Sequence, residues 1–76
     1  MKEKVICILN ELRPEFNFSE NVNFIEQGML DSFDVVNLVQ ELESTFGITI
    51  DGLEILPENF ETIDTIMNLL TSKGVK

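Results

Sequence analysis

Residues 28–34 read Gly-Met-Leu-Asp-Ser-Phe-Asp and join a long loop to the most regular apolar pattern of the chain. Asp31 is a favourable N-cap residue because its side chain can accept a hydrogen bond from a backbone N–H group of the first turn. Asp34 follows three positions later, which is the spacing of a capping box. Ser32 then becomes the first residue of a helix, where unpaired N–H groups favour a phosphate. The spacing alone favours a simple helix cap and leaves a phosphate-bearing serine as the alternative.

The second helix is predicted over residues 31–46, where apolar residues recur at steps of three and four. This spacing places them on one stripe that faces the core. The stripe consists of Val35, Leu38, Val39, Leu42 and Phe46. Phe33 and Val36 project to the side of the stripe, in line with Gln40, so they indicate a contact patch beside Ser32.

A first helix is predicted from Lys2 to Leu12. Its apolar stripe consists of Val5, Ile8, Leu9 and Leu12. The helix is expected to end at Arg13 because the residue before Pro14 avoids the helical region. Cys7 lies off the stripe and is expected to be a partly buried small hydrophobe.

The connection over residues 15–30 is long for so small a domain, and its apolar side chains are expected to pin it to the core. These side chains are Phe16, Phe18, Val22, Phe24 and Ile25. One helical turn is predicted at residues 24–27, closed by Gly28. A ligand pocket lined by the phenylalanines is the alternative, and core packing is favoured over it.

The C-terminal part predicts a short helix over residues 51–56, where an aspartate cap is followed three positions later by a glutamate. A turn is expected at residues 57–60, with Phe60 directed inward. Thr62 is predicted to cap a last helix that ends at Gly74. Its core stripe consists of Ile63, Ile66, Met67 and Leu70.

These elements predict an all-α fold. It is a small four-helix bundle, with three main helices plus one short helix and a long loop between helices one and two. Gly47 is expected to end the second helix. With 76 residues, the chain is expected to form one domain over residues 1–76.

The composition excludes several classes of function. The chain has no histidine, which excludes a Ser-His-Asp triad and histidine-containing zinc sites, and its single cysteine excludes an internal disulfide. The lysines are terminal and far from Ser32 in sequence, and no deep cleft is expected in so small a bundle, so no intrinsic catalysis is expected. The chain has neither a long apolar run nor a signal-peptide pattern, so we expect no membrane span and a cytoplasmic location.

The net charge is −9, and its distribution is one-sided. Between Pro14 and Ser72 the sequence has 12 acidic residues and no basic one. Such a surface repels nucleic acid and anionic membranes and attracts basic patches on proteins. Acidity that serves only solubility is the alternative.

One longer pattern resembles a known family. Residues 26–33, EQGMLDSF, followed by VVNL at 35–38, resemble the phosphopantetheine attachment site of the acyl carrier protein family. The resemblance continues through 42–50 and 57–63 and covers about two-thirds of the chain. Fatty-acid carriers usually have leucine after the serine and a more acidic second helix, whereas here Phe33 follows, and Asn37 and Gln40 reduce the charge. The sequence is therefore more similar to D-alanyl carriers and other stand-alone aminoacyl or peptidyl carriers.

The resemblance implies a single acyl-carrier-like domain that is not an enzyme. Ser32 would carry 4'-phosphopantetheine, derived from coenzyme A, and Asp31 would be the flanking helix cap. The arm would hold acyl or aminoacyl groups as thioesters. The implied partner-binding residues are Phe33, Asp34, Val36, Gln40, Glu41 and Glu43.

The implied partners are a phosphopantetheinyl transferase, an adenylating acyl or aminoacyl ligase, and a downstream transferase or synthase with a basic docking patch. We expect no metal, no nucleic acid and a monomer. Two alternatives stay open. One is a carrier of fatty-acid synthesis, and the other is an unmodified acidic helical adaptor protein that uses Phe33 and Val36 for docking.

Overall fold

Three α-helices surround the core in a computed structural model that describes residues 2–19 and 22–75. They are α1 (Lys2–Leu12), α2 (Ser32–Phe46) and α3 (Ile63–Ser72). Two 3-10 turns, Gly52–Glu54 and Pro57–Asn59, lie between α2 and α3. Within the described ranges there is no strand, so the all-α prediction is confirmed.

The predicted apolar stripes face a common core, and α1 packs against both α2 and α3. The buried side chains of the three helices are Val5, Ile8, Leu9, Val35, Leu38, Val39, Leu42, Ile63, Ile66, Leu69 and Leu70. Leu12, Phe46 and Met67 are half-buried against this core, and Leu69 is a core residue that the predicted stripe of α3 omitted. Burial of these stripes is the main source of stability in so short a chain.

The connection between α1 and α2 is held by its own aromatic side chains, as predicted; its residues 20 and 21 lie outside the described part. Phe18 and Phe24 are fully buried, and their rings meet edge to face with centroids 5.0 Å apart. The backbone of Phe24 also forms two hydrogen bonds. Its N–H donates to the Glu61 carbonyl at 2.6 Å, and its carbonyl accepts from the Met29 N–H at 2.9 Å. These bonds bring the end of the loop to the start of α2.

The helical turn predicted at residues 24–27 is a hydrogen-bonded turn. The side chain of Asn23 accepts bonds from the N–H groups of Ile25 and Glu26, both at 3.0 Å. Gly28 closes the turn with a φ of 72°, a left-handed conformation that a side chain would oppose. The change in direction at Gly28 allows Met29 and Leu30 to enter the core.

Two predictions about smaller features are wrong. The short helix predicted over residues 51–56 is only a 3-10 turn over Gly52–Glu54, because Leu56 is extended ahead of Pro57 and stops helix growth; the second 3-10 turn, Pro57–Asn59, lies where a turn was predicted at residues 57–60. Cys7 is exposed instead of partly buried. At about 100° per residue, position 7 lies on the side of α1 opposite Val5 and Leu9.

The ends of α2 and α3 agree with the predicted caps. Gly47 ends α2 in the left-handed conformation, with φ 65°, and its N–H donates to the Glu43 carbonyl. Thr62 caps α3, and its hydroxyl accepts a bond from the Thr65 N–H at 3.1 Å. No helix in the described part of the chain has the length and apolar character needed to cross a membrane.

Candidate functional site

The start of α2 is a capping box. Asp31 has an extended backbone, with φ −108° and ψ −176°, and its Oδ1 accepts a bond from the Asp34 N–H at 2.9 Å. Asp34 Oδ2 accepts in return from the Asp31 N–H at 3.2 Å. These reciprocal bonds satisfy backbone donors that the helix itself leaves unpaired. They make Ser32 the first residue of α2, as the spacing predicts.

Arg13 fixes this capping box to the end of α1. Its Nε donates to Asp34 Oδ2 at 2.9 Å, and its Nη2 lies 2.8 Å from the same oxygen. The Nη2 atom also lies 3.6 Å from Asp31 Oδ2, while Nη1 is 3.2 Å from Glu15 Oε2. One guanidinium group therefore ties the first turn of α2 to the segment that follows α1.

Asp34 was expected to contact basic partners, and the structure corrects this expectation. Its residue surface is only 6% exposed, and its carboxylate faces Arg13 and the Asp31 backbone. A carboxylate held in this way is not available to a partner's lysine or arginine. Sequence periodicity placed Asp34 beside Phe33 but gave no sign of Arg13, which is 21 residues away.

The same contacts set the ionisation of the pair. Burial alone would raise the pKa of Asp34, but the hydrogen bonds from Arg13 and from the Asp31 N–H outweigh it and hold the pKa below its ordinary value. The bonds to Asp34 and then to Glu15 raise the pKa of Arg13 further above its ordinary value. Both groups are charged at neutral pH, so this contact is an ion pair.

Ser32 lies on the surface next to an apolar cleft. Its side chain is exposed, and within the described residues its hydroxyl forms no side-chain hydrogen bond. The cleft has a volume of about 360 Å³ and is half open to solvent. It is lined by Ile25, Leu30, Asp31, Ser32, Val35, Val36, Ile55 and Pro57.

No deep cleft was expected in so small a bundle, and the structure has an open cleft beside Ser32. It forms where the loop residue Ile25 and the segment around Ile55 and Pro57 come close to the first turns of α2. None of the six phenylalanines lines it, so the favoured core-packing role of Phe18 and Phe24 is confirmed. The segments that form the cleft are about thirty residues apart in sequence. Periodicity within one helix therefore could not predict that they come together.

The apolar residues expected beside Ser32 are exposed. Phe33 is 73% exposed and Val36 is 47% exposed. Gln40 and Glu41 are also exposed on α2. Glu43 is half-buried, and its Oε2 accepts a bond from the Ile50 N–H at 2.9 Å. The exposed part of this surface therefore combines two apolar side chains with a polar flank.

Two exposed apolar residues were not expected. Leu53 is 84% exposed and Leu56 is 42% exposed, and both lie in the segment that forms one wall of the cleft. Across residues 2–19 and 22–75, no group of three acidic or cysteine side chains is arranged to hold a metal ion. The face beside the cleft presents the Ser32 hydroxyl, the Asp31 carboxylate, the N-terminus of α2 and an apolar surface.

The comparison with known families identifies the class of protein to which this chain belongs. Residues 4–70 match the family described as "Phosphopantetheine attachment site". The chain belongs to the phosphopantetheine-binding carrier family. Members of this family are non-catalytic carriers with a covalently attached 4'-phosphopantetheine group, so this carrier is not an enzyme and its prosthetic group is 4'-phosphopantetheine.

Individual relatives agree with this assignment. The carrier is 36% identical over 72 residues to a D-alanyl carrier protein of Bacillus velezensis, covering 92% of each chain. It is also 36% identical over 70 residues to a D-alanyl carrier protein of Streptococcus suis, covering 90% of this chain and 87% of that one. Aminoacyl carrier protein 1 of Bradyrhizobium diazoefficiens is 39% identical over 44 residues, covering 58% and 49% of the two chains.

Proposed function

We propose that this carrier holds acyl or aminoacyl groups as thioesters on a 4'-phosphopantetheine arm attached to Ser32 and passes them between partner enzymes. The observation that carries the proposal is the position of an exposed hydroxyl at the first residue of a capped 15-residue helix, beside an open cleft. When bound, the group supplies a flexible arm that ends in a thiol.

The N-terminus of α2 fits a phosphodiester. The first intrahelical bond runs from the Val35 N–H to the Asp31 carbonyl at 3.0 Å, and Asp31 Oδ1 already accepts from the Asp34 N–H. The N–H groups of Ser32 and Phe33 precede these bonds and are directed toward the end of the helix. Together with the helix dipole they favour the negative charge of a phosphate group attached to the serine oxygen.

The other serines fit less well. Ser72 Oγ donates to the Leu69 carbonyl at 2.6 Å, and Ser19 Oγ donates to the side chain of Asn17. Ser44 lies inside α2, far from its N-terminal end. Ser32 alone among them combines exposure with a helix start, which supports it as the attachment residue.

The relatives support an aminoacyl cargo. Both D-alanyl carrier proteins match over most of the chain, and the apolar residue after the serine is Phe33. We therefore propose loading by an adenylating aminoacyl ligase and delivery to a downstream transferase. The apolar cleft beside Ser32 favours a second candidate, an acyl chain of the kind carried in fatty-acid synthesis, because it offers apolar surface to such a chain.

The proposal includes the setting of this activity. A phosphopantetheinyl transferase would supply the arm from coenzyme A, and basic patches on partner enzymes would be attracted by the charge of −9. A carrier that works as a monomer in the cytoplasm is consistent with one unpaired thiol in a chain of high net charge.

Intact-mass spectrometry tests the attachment residue. The carrier is incubated with coenzyme A and a broad-specificity phosphopantetheinyl transferase, and we expect a mass gain of one phosphopantetheine group. Ser32→Ala should gain nothing, and Ser44→Ala, a matched change on the same helix, should gain as the wild type does. An unchanged gain in Ser32→Ala would refute the assignment.

The cargo is tested on the modified protein. Loading is compared between an adenylating ligase with D-alanine and an acyl ligase with a fatty acid, and the thioester is detected by mass. Preferential loading with D-alanine supports the aminoacyl proposal. Preferential loading with the fatty acid supports the second candidate instead.

A further inference from the structure

We propose that Arg13 is a positioning residue for the modification of Ser32. This inference rests on the proposed function and extends it to a side chain outside α2, in the segment that directly follows α1. Arg13 contacts Asp31 and Asp34, on either side of Ser32, and within the described part of the chain it forms no bond to the Ser32 hydroxyl. It acts by fixing the turn from which that hydroxyl projects.

The position of Ser32 is set by three hydrogen bonds between the residues on either side of it. The Val35 N–H donates to the Asp31 carbonyl at 3.0 Å. The Asp34 N–H donates to Asp31 Oδ1 at 2.9 Å, and the Asp31 N–H donates to Asp34 Oδ2 at 3.2 Å. The end of a helix has fewer intrahelical bonds than its interior and opens more readily. The direction of the Ser32 hydroxyl therefore depends on these bonds.

One of the three bonds depends on Arg13. The Asp34 oxygen that accepts from the Asp31 N–H also accepts from Arg13 Nε at 2.9 Å and lies 2.8 Å from Arg13 Nη2. Asp34 is only 6% exposed, and a nearly buried carboxylate without a counter-charge is unfavourable. Without Arg13 the carboxylate would turn toward water, and the Asp31 N–H would lose its acceptor.

Arg13 is itself held by the end of α1. Its N–H donates to the carbonyl of Leu9, a fully buried core residue, at 2.9 Å. Its carbonyl accepts from the Phe16 N–H at 3.2 Å, and its Nη1 lies 3.2 Å from Glu15 Oε2. The guanidinium group therefore connects the turn that carries Ser32 to a fixed point of the core.

Transfer of phosphopantetheine depends on the direction of the Ser32 oxygen. This oxygen forms a bond to the phosphorus of coenzyme A that bears pantetheine, and the bond from that phosphorus to the bridging oxygen breaks. The adenosine bisphosphate leaves with the electron pair, and the hydroxyl proton passes to a base on the transferase. The attacking and leaving oxygens must lie in line at phosphorus, and a displacement of about 1 Å slows such a step by up to about a hundredfold. Opening of the turn therefore slows the transfer without removing the side chains that a transferase binds.

Single-turnover kinetics of phosphopantetheine transfer test this role. The full chain is mixed with saturating coenzyme A and an excess of a broad-specificity phosphopantetheinyl transferase at several concentrations, and modification is followed by intact mass. We expect Arg13→Ala to lower the limiting rate about tenfold, because Ser32 occupies the reactive position for less of the time. The enzyme concentration at half the limiting rate should stay within about twofold of the wild-type value, since the exposed side chains of α2 are unchanged.

Matched variants separate positioning from general effects, at a temperature at which circular dichroism shows every variant to be folded. Lys4→Ala removes an exposed positive charge from α1. Gly47→Ala destabilises α2 at its other end, where φ is 65°. Both variants should keep the wild-type limiting rate. A loss in either one as large as that of Arg13→Ala would overturn the proposal.

A double variant tests whether Arg13 acts through Asp34. In an Asp34→Ala background, Arg13→Ala should lower the limiting rate by less than about twofold further, because the carboxylate that it orients is already absent. A full additional loss would show that Arg13 acts by another route and would overturn the proposal.

Amide hydrogen exchange gives a readout that needs no transferase. In the unmodified carrier, Arg13→Ala should speed the exchange of the Asp31 N–H about tenfold, because this N–H loses its acceptor. The Gly47 N–H, which donates to the Glu43 carbonyl at the other end of α2, should exchange as it does in the wild type. An unchanged exchange rate at Asp31 would contradict the positioning role.

The remaining outcomes have defined meanings. A higher enzyme concentration at half the limiting rate, with the limiting rate unchanged, would make Arg13 a docking contact and overturn the proposal. The absence of any mass gain in the wild-type protein would refute the attachment at Ser32, and with it this inference. A normal mass gain with a limiting rate for Arg13→Ala within about twofold of wild type refutes the positioning role alone.

Discussion

Replacement of Asp34 tests the idea that this residue is structural instead of partner-binding. In Asp34→Ala the Asp31 N–H loses its acceptor, and the Arg13 guanidinium loses the oxygen at 2.8 and 2.9 Å. The cap itself stays, because the N–H at position 34 still donates to Asp31 Oδ1, and loss of the return bond from the Asp31 N–H costs about 0.5 kcal/mol. Loss of the charged hydrogen bonds from Arg13 to a nearly buried carboxylate costs about 1.5 kcal/mol more, which gives a total of about 2 kcal/mol.

A loss of this size is easily measured. For a chain of this length, about 2 kcal/mol lowers Tm by roughly 10 °C. Thermal unfolding followed by circular dichroism at pH 7 gives this shift. Asp64→Ala provides a matched control, because Asp64 is an exposed acidic residue in the first turn of α3, and its Tm should stay close to the wild-type value.

The pH dependence makes the test more specific. The pKa of Asp34 in the folded protein is below its ordinary value, so its contribution is complete above the unfolded pKa of about 3.9 and is lost as the pH falls through the folded pKa. The difference in Tm between wild type and Asp34→Ala should therefore be constant from neutral pH to about pH 5 and shrink at lower pH. A difference that persists unchanged in acid would show that the ionised pair is not its source.

A double-mutant cycle identifies the partner. In an Arg13→Ala background, Asp34→Ala should cost less than it does in the wild type, because part of its contribution has already been removed. Full additivity of the two changes would refute the ion pair as a source of stability. A normal Tm for Asp34→Ala, combined with slower modification of Ser32, would return Asp34 to the partner-binding surface.

Two further changes test other parts of the structure. Phe33→Ala should change the free energy of unfolding by no more than about 0.5 kcal/mol, because the ring is 73% exposed. A loss of several kcal/mol in urea unfolding would show that the ring is buried. Gly47→Ala should cost about 1 kcal/mol because position 47 has a φ of 65°, and an unchanged urea midpoint would contradict the left-handed helix end.

Local signals account for the parts of the fold that the sequence predicted well. The cap at Asp31, the stop at Gly47 and the cap at Thr62 each depend on residues within four positions, and all three are present. The apolar stripes are equally local, since they follow from the helical period. The prediction of a helix over residues 51–56 was less accurate. A favourable capping box begins the segment, but the proline that follows limits it to a helical turn of three residues.

The parts that the sequence could not predict depend on tertiary contacts. The Asp34 carboxylate is covered because Arg13 reaches across from the end of α1, 21 residues away in sequence. The cleft likewise depends on Ile25 and Pro57 lying close to the start of α2. No spacing rule relates these positions, so only the packed structure brings them to Ser32.

The pairing of Asp34 changes the character of the surface around Ser32. Of the acidic residues of α2, Asp34 is neutralised by Arg13 and Glu43 is partly engaged by the Ile50 N–H, which leaves Glu41 as the exposed carboxylate. The net charge of −9 still attracts a basic partner from a distance, because such a field depends on the whole chain. The exposed side chains at the start of α2 are apolar at Phe33 and Val36 and acidic at Asp31.

We propose that attraction and selection of partners depend on different features of this molecule. Charge acts mainly on the rate of encounter, and it is screened by salt at physiological ionic strength. We propose that discrimination among partners of similar charge depends on how well their surfaces fit Phe33 and Val36. Because both side chains are exposed and lie outside the core, they can change between related carriers with little effect on the stability of the bundle.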